Sequence, residues 1–145
     1  MPNPNLKNIE HLGLAVKDGN AAAKLYEILL GTSPYKQEAV ESEGVRTIFF
    51  QAGETKIELL EPTAEDSPIG KFLEKRGEGL HHLAFGVADI HAEMTRLRVA
   101  GFELLNDTPK AGADGKLICF LHPRSTHGVL VELCQDDPSQ AVSGE

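Results

Sequence analysis

The chain has 145 residues, 41% of them hydrophobic and 25% charged, the length and composition of one ordinary globular domain. No apolar run approaches the ~18 residues that would span a bilayer. Twenty-two acids against fourteen bases give a formal charge of −8, which excludes the basic footprint that nucleic-acid binding or docking on anionic lipid requires.

The start, MPNPNLKNIE, lacks the basic n-region and apolar stretch of a secretory signal, so a cytoplasmic location is expected. Residues 9–18, IEHLGLAVKD, open a strand in which side chains alternate between two faces. His11 shares one face with Gly13 and Ala15, while Leu12, Leu14 and Val16 take the other. A helix is predicted over Ala21–Leu30, capped by Asp18 or Asn20 and stopped at Gly31, with Leu25, Ile28 and Leu29 as its apolar stripe. VRTIFFQA (45–52) and KIELLEP (56–62) read as strands. The stretch from Glu61 to Gly79 carries a short helix signal, with Asp66 or Ser67 as cap, Pro68 at the first position and Lys75 near the end.

At residue 80 the chain begins again. LHHLAFGVAD (80–89) superposes on residues 9–18 at an offset of 71, pairing His82 with His11 and Asp89 with Asp18. A second helix is predicted over Ile90–Ala100, with Met94, Leu97 and Val99 or Ala100 inward and Gly101 as stop. FELLND (102–107), KLICFLHP (116–123) and GVLVELC (128–134) read as strands. The KIEL of the first half aligns on LVEL of the second, so that Glu132 answers Glu58 and the two His-to-Glu separations are 47 and 50 residues. Internal repetition at this period means two copies of one supersecondary unit. Each half reads βαβββ: an α+β domain over residues 7–135, with module 1 at about 7–62, an ordered linker at 63–79 and module 2 at about 80–135. The polar tails, 1–6 and 136–145, are expected to fray.

A lone histidine on a strand is ordinarily a structural residue. Two histidines and two glutamates at equivalent places, among glycines and alanines that leave room, point instead to a metal site made by His11, Glu58, His82 and Glu132. Imidazole and carboxylate donors suit a divalent ion such as Zn, Co, Ni, Mn or Fe(II). His81 has the opposite strand parity to His82; His91, His122 and His127 lie at helix, strand and loop ends and read as non-ligands. Cys119 and Cys134 read as reduced core or near-site thiols. Glu41 and Glu43 read as solvated loop charges.

The paired βαβββ modules with HLGLAV and a terminal VEL resemble the vicinal oxygen chelate (glyoxalase) superfamily over Ile9 to Leu133. The stretches KIELLEP, DSPIGKFLEKRGEGLHHLAF and FLHPRSTHGVLVEL are similar to its methylmalonyl-CoA epimerase family. The resemblance implies an open barrel of two modules and places the metal ligands at the same four residues. It also implies an isomerase that interconverts the (R) and (S) forms of methylmalonyl-CoA by moving the α-proton through a metal-stabilised enolate. An acyl-CoA substrate, a Co, Mn, Ni or Zn ion and a homodimer come with it. Some members carry a glutamate base three residues after a Gly-Val pair and glutamine at position 58; here Thr47 follows Gly44-Val45, and 58 is glutamate. Glu58 and Glu132 are therefore expected to act both as ligands and as the two bases. Arg124 and Ser125 are the expected substrate-carboxylate contacts, ahead of Lys71, Lys75, Arg76 and Lys116. A glyoxalase I-type lactoylglutathione lyase, an extradiol dioxygenase and a non-catalytic small-molecule-binding protein of the same fold are the competing readings.

Overall fold

The structure, a computed structural model, describes residues 2–140. The chain divides into two compact units, residues 11–81 and residues 1–10 together with 82–145. Strand β1 (Leu6–Ala15) begins in one and ends in the other. No helix among the described residues is long and apolar enough to cross a membrane.

In the 11–81 unit, β1 is followed by α1 (Gly19–Leu30), β2 (Lys36–Val40), β3 (Val45–Ala52), β4 (Thr55–Pro62) and α2 (Pro68–Arg76). The strand order is β2-β3-β4-β1, with β1 parallel to β4 and the other pairs antiparallel. Asp18 caps α1 by accepting from the Ala21 N–H at 3.1 Å, and Gly31 closes it in the left-handed region at φ 70°. The stripe that faces the sheet is not the expected one. Ala22, Ala23, Tyr26 and Leu30 pack on Val16, Ile48, Phe50 and Leu59, and Leu25, Ile28 and Leu29 are exposed. Both sets have helical spacing; the alanines let the helix axis approach the sheet, and Tyr26 then packs against the Phe50 ring, 6.5 Å between centroids. Ser67 rather than Asp66 caps α2. That helix covers the opposite face of the sheet, setting Ile69, Phe72 and Leu73 on Ala15, Val45 and Leu60. Strand β2 had no apolar alternation to announce it. It is a polar edge strand, as edges exposed to pairing commonly are.

The second unit contains β5 (Gly79–Val87, entering from the 11–81 unit), α3 (Ile90–Val99), β6 (Lys110–Ala111), β7 (Lys116–Leu121) and β8 (Val131–Asp136), in the order β5-β8-β7-β6. The parallel pair β5·β8 and the antiparallel pair β7·β8 repeat β1·β4 and β3·β4. Asp89 caps α3, and Met94 and Leu97 join Val87, Ile90, Cys119, Leu121 and Leu133 in the core. Val99 points outward instead, 85% exposed. FELLND is not a strand. It touches β7 through one bridge, Leu104 to Leu121, because the Asn106 side chain, and not a backbone carbonyl, accepts the Phe120 N–H at 3.0 Å. The last strand starts at Val131 and not 128, since His127 and Gly128 take positive φ of 55° and 94° to make the preceding turn.

The N-terminal residues expected to fray are held. Asn3 and Asn5 donate to the Glu93 carboxylate, and Asn5 exchanges hydrogen bonds with Asp89 at the start of α3. At the other end β8 runs to Asp136 and a 3₁₀ turn covers Pro138–Gln140; residues 141–145 lie outside the described set. Glu93 is 4% exposed and also receives two bonds from Arg96, at 3.1 and 2.8 Å. The Arg96 guanidinium, more than burial opposes it, pulls its carboxyl below the ordinary value of 4.5. A depressed pKa stabilises the fold above the unfolded value and stops doing so as pH falls through the folded one. Glu93→Gln should therefore cost about 1–3 kcal/mol at pH 7. In urea melts the gap from wild type should close below pH 4.5; a gap independent of pH would refute the assignment.

Candidate functional site

Helices α1 and α3 cover one face of their respective strands, and the remaining face carries the polar groups. In the 11–81 unit Ile48, Phe50 and Leu59 lie under α1, so strand alternation puts Thr47, Phe49, Glu58 and Leu60 on the other side, with His11, Gly13 and Ala15. His11 Nδ1 and Glu58 Oε2 are 3.3 Å apart, and their side chains are 5% and 7% exposed. In the second unit Cys119, Leu121 and Leu133 lie under α3, leaving Ile118, Phe120, Glu132 and Cys134 with His82 and Ala84. His82 Nε2 and Glu132 Oε1 are 3.0 Å apart at 7% and 6% exposure. Each unit therefore buries one His–Glu pair, at the places the repeat predicts.

The repetition extends beyond the four residues. Phe49 lies opposite Glu58 in the β3·β4 ladder, and Phe120 lies opposite Glu132 in β7·β8. The Phe120 ring meets His82 edge-on, centroids 5.8 Å apart. Positions 49 and 120 are 71 apart, the histidine offset, so this pair of aromatics was available in the sequence as a third repeated position. Thr47 in turn corresponds to Ile118, and Leu60 to Cys134, by their ladder positions. Two-fold equivalence holds for the ligand-type residues and their aromatic floor, and breaks around them.

A carboxylate this far from water needs a compensating partner. Each glutamate has an imidazole at hydrogen-bond range, and nitrogen and carboxylate oxygen are the donors a borderline divalent ion takes. The residues thus fit such an ion in chemistry and in desolvation. Several other titratable groups are elsewhere or engaged. His81 stacks edge-on against Phe72 at 4.9 Å, His91 is exposed, and His122 Nδ1 accepts the Arg124 N–H. Glu41 and Glu43 form an exposed 3₁₀ turn before Gly44. Thr47 is buried, 2% exposed, and has no acid to offer. Neither cysteine is in a disulfide, both are buried, and burial raises the Cys119 thiol pKa. Lys116 is no ordinary surface charge: its side chain is 15% exposed and pairs with Glu10 at 3.7 Å and with Asp136. A groove of about 590 Å³ beside α1, lined by Leu14, Val16, Ala22 and Tyr26, carries none of the four residues.

Arg124 and Ser125 sit in a 3₁₀ turn after β7. The guanidinium makes three contacts of 2.9–3.1 Å with Glu103, and Ser125 Oγ accepts the Glu103 N–H.

Four likenesses to known proteins bear on this geometry. The profile of the Glyoxalase/Bleomycin resistance protein/Dioxygenase superfamily matches residues 10–120. An ethylmalonyl-CoA/methylmalonyl-CoA epimerase of Cereibacter sphaeroides is 44% identical over 88% of this chain and 96% of its own. The mitochondrial methylmalonyl-CoA epimerase of Homo sapiens is 39% identical over 90% of this chain and 75% of its own. The crystal structure of methylmalonyl-CoA epimerase from Mycobacterium tuberculosis superposes with a TM-score of 0.90 at 33% identity, covering 96% of this chain and 94% of that one.

Since the Arg124 side chain is 70% exposed, its pair with Glu103 is worth little to the fold. Arg124→Ala should shift stability in thermal or urea melts by less than about 1 kcal/mol, so that any larger effect on substrate KM reports recognition and not unfolding.

Proposed function

The chain belongs to the Glyoxalase/Bleomycin resistance protein/Dioxygenase superfamily, and we propose that within it this protein is a metal-dependent epimerase interconverting (R)- and (S)-methylmalonyl-CoA. The observation that carries the reading is the buried His–Glu pair present once in each module. In the proposed centre His11, Glu58, His82 and Glu132 hold one divalent ion. When bound, such an ion supplies Lewis acidity to the oxygens flanking the acidic carbon, worth several kcal/mol to the charge that develops there.

The chain's own residues supply the proton chemistry. Inversion needs a group on each side of a planar carbon, one to take the proton and one to return it. Glu58 and Glu132 come from equivalent strands of the two modules, and we assign one to each side. Thr47 is no base, and Glu43 lies on the exposed turn. Phe49 and Phe120 form an apolar floor beside the two carboxylates, which excludes water and strengthens their electrostatic effect. Arg124 and Ser125 remain the proposed contacts for the substrate carboxylate. In that role Arg124 would trade the Glu103 carboxylate for the substrate's, an exchange of like for like.

In deuterated water, NMR should show loss of the methylmalonyl-CoA α-proton that stops on addition of chelator; metal-independent exchange, or none, would sink the epimerase reading. Glu58→Gln should lower turnover by at least about 10²-fold, the usual contribution of a positioned base. It should leave the rise in Tm produced by divalent ion largely intact, since ligand binding to the folded state raises stability whether or not chemistry follows. Loss of the Tm shift together with activity would reduce Glu58 to a ligand alone.

A further inference from the structure

The two modules offer a thioester two equivalent directions across the proposed centre, and an asymmetric substrate can use only one. In the 11–81 unit the His11/Glu58 face is closed at one end. Helix α2 sits there, its Ile69, Phe72 and Leu73 covering Ala15, Val45 and Leu60. The other end carries two cations. Lys56 lies two residues before Glu58 on β4, hence on its face, in register with His11 on one side and Gln51 on the other. Lys36 lies on β2 in register with Phe49, itself in register with Glu58. Its ammonium is 5.4 Å from the Phe49 ring centre and 3.2 Å from Glu38. Both lysines are half-buried, and Lys36 stands two strand spacings, about 10 Å, from Glu58.

Module 2 does not repeat them. The position two before Glu132 is Leu130. The residue two after Phe120, equivalent to Gln51, is His122, whose Nδ1 is spent on the Arg124 N–H. Strand β6 is two residues long and places nothing in register with Phe120; its Lys110 lies opposite Ile118, where module 1 has Glu38 opposite Thr47. The aromatic floor is duplicated, the cationic end is not.

Resting on the epimerase reading, we infer that Lys36 and Lys56 form the subsite for the phosphorylated tail of the thioester, which leaves the centre over the open end of module 1. Two amines flanking an apolar floor suit a diphosphate-bearing tail: the stems lie along the sheet and the charged heads stay hydrated at its rim. Glu38 positions Lys36 by holding its ammonium over the Phe49 ring.

The test compares methylmalonyl-CoA with methylmalonyl-pantetheine, which lacks the phosphates, through the ratio of their kcat/KM values. Lys36→Gln/Lys56→Gln should lower that ratio about tenfold or more per lysine, the scale of a charge-assisted hydrogen bond, and the Arg pair should retain it. A ratio unchanged in the Gln variant, or one that falls with Lys110→Gln instead, overturns the assignment. Calorimetric titration with CoA alone reads the same subsite without catalysis: weaker binding by the Gln variant supports it, and equal binding refutes it, even if neither thioester turns over and the epimerase reading has failed. Thermal melts check folding, and Lys36→Gln alone, on an edge strand, serves if the double variant is unstable.

Discussion

Burying a carboxylate is the constraint around which the rest is arranged. Glu58 and Glu132 are each on a central strand of their module, at 7% and 6% exposure, where an unpaired charge would cost several kcal/mol or be neutralised by a proton. The histidine on the neighbouring parallel strand answers each one. Strand pairing fixes the spacing: β1 runs beside β4 and β5 beside β8, so a histidine within one strand and a glutamate within the other fall together without help from loops. A site built on ladders is held more rigidly than one built on connections.

Close packing decides which residues beside the histidines are small. Gly13 and Ala15 follow His11 on its face, and Ala84 and Gly86 follow His82. Ala15 and Ala84 are fully buried among apolar neighbours, and a Cβ at Gly86 would collide with the Asn8 side chain. The larger apolar clusters are on the reverse face, where α1 and α3 supply the burial that stabilises each sheet. Separation of labour by strand parity lets the fold keep a desolvated polar surface without sacrificing its core. The exception is α2, which crosses to the polar side and seals one end of it in module 1.

Much of this was legible in the sequence because repetition and parity are exact properties of a strand. The places of the four His and Glu residues and the opposition of Leu14 and Val16 to His11 needed only alternation and an offset, while the caps of α1 and α2 were narrowed to two candidates each. What escaped did so for physical reasons. Strand β2 is a polar edge whose pairing partner, not its own pattern, makes it a strand. The inward stripe of α1 is ambiguous in the sequence because two stripes have equal spacing, and the choice between Leu25, Ile28, Leu29 and Ala22, Tyr26, Leu30 depends on how closely helix and sheet approach. FELLND has strand composition, yet the Asn106 side chain takes the hydrogen bond a ladder would have used. None of these outcomes is local.

The acidic balance of the chain acquires a different sense once its charges are placed. Glu93 and Asp136 are matched by Arg96 and Lys116, so two of the bases available to an anionic ligand are already committed to the fold, whereas the exposed Arg124–Glu103 pair can be exchanged. Among acids, Glu58 and Glu132 are the ones whose charge a divalent ion would cancel in the proposed centre. The field that an anionic substrate meets is then set less by the total of −8 than by which unit charges stand within a Debye length of the centre, about 8–10 Å at ordinary ionic strength. Within that radius of Glu58, module 1 presents lysines where module 2 presents leucine and histidine. A repeated fold evolves direction through such differences: the duplicated residues define what is held, and the unduplicated ones define which way round.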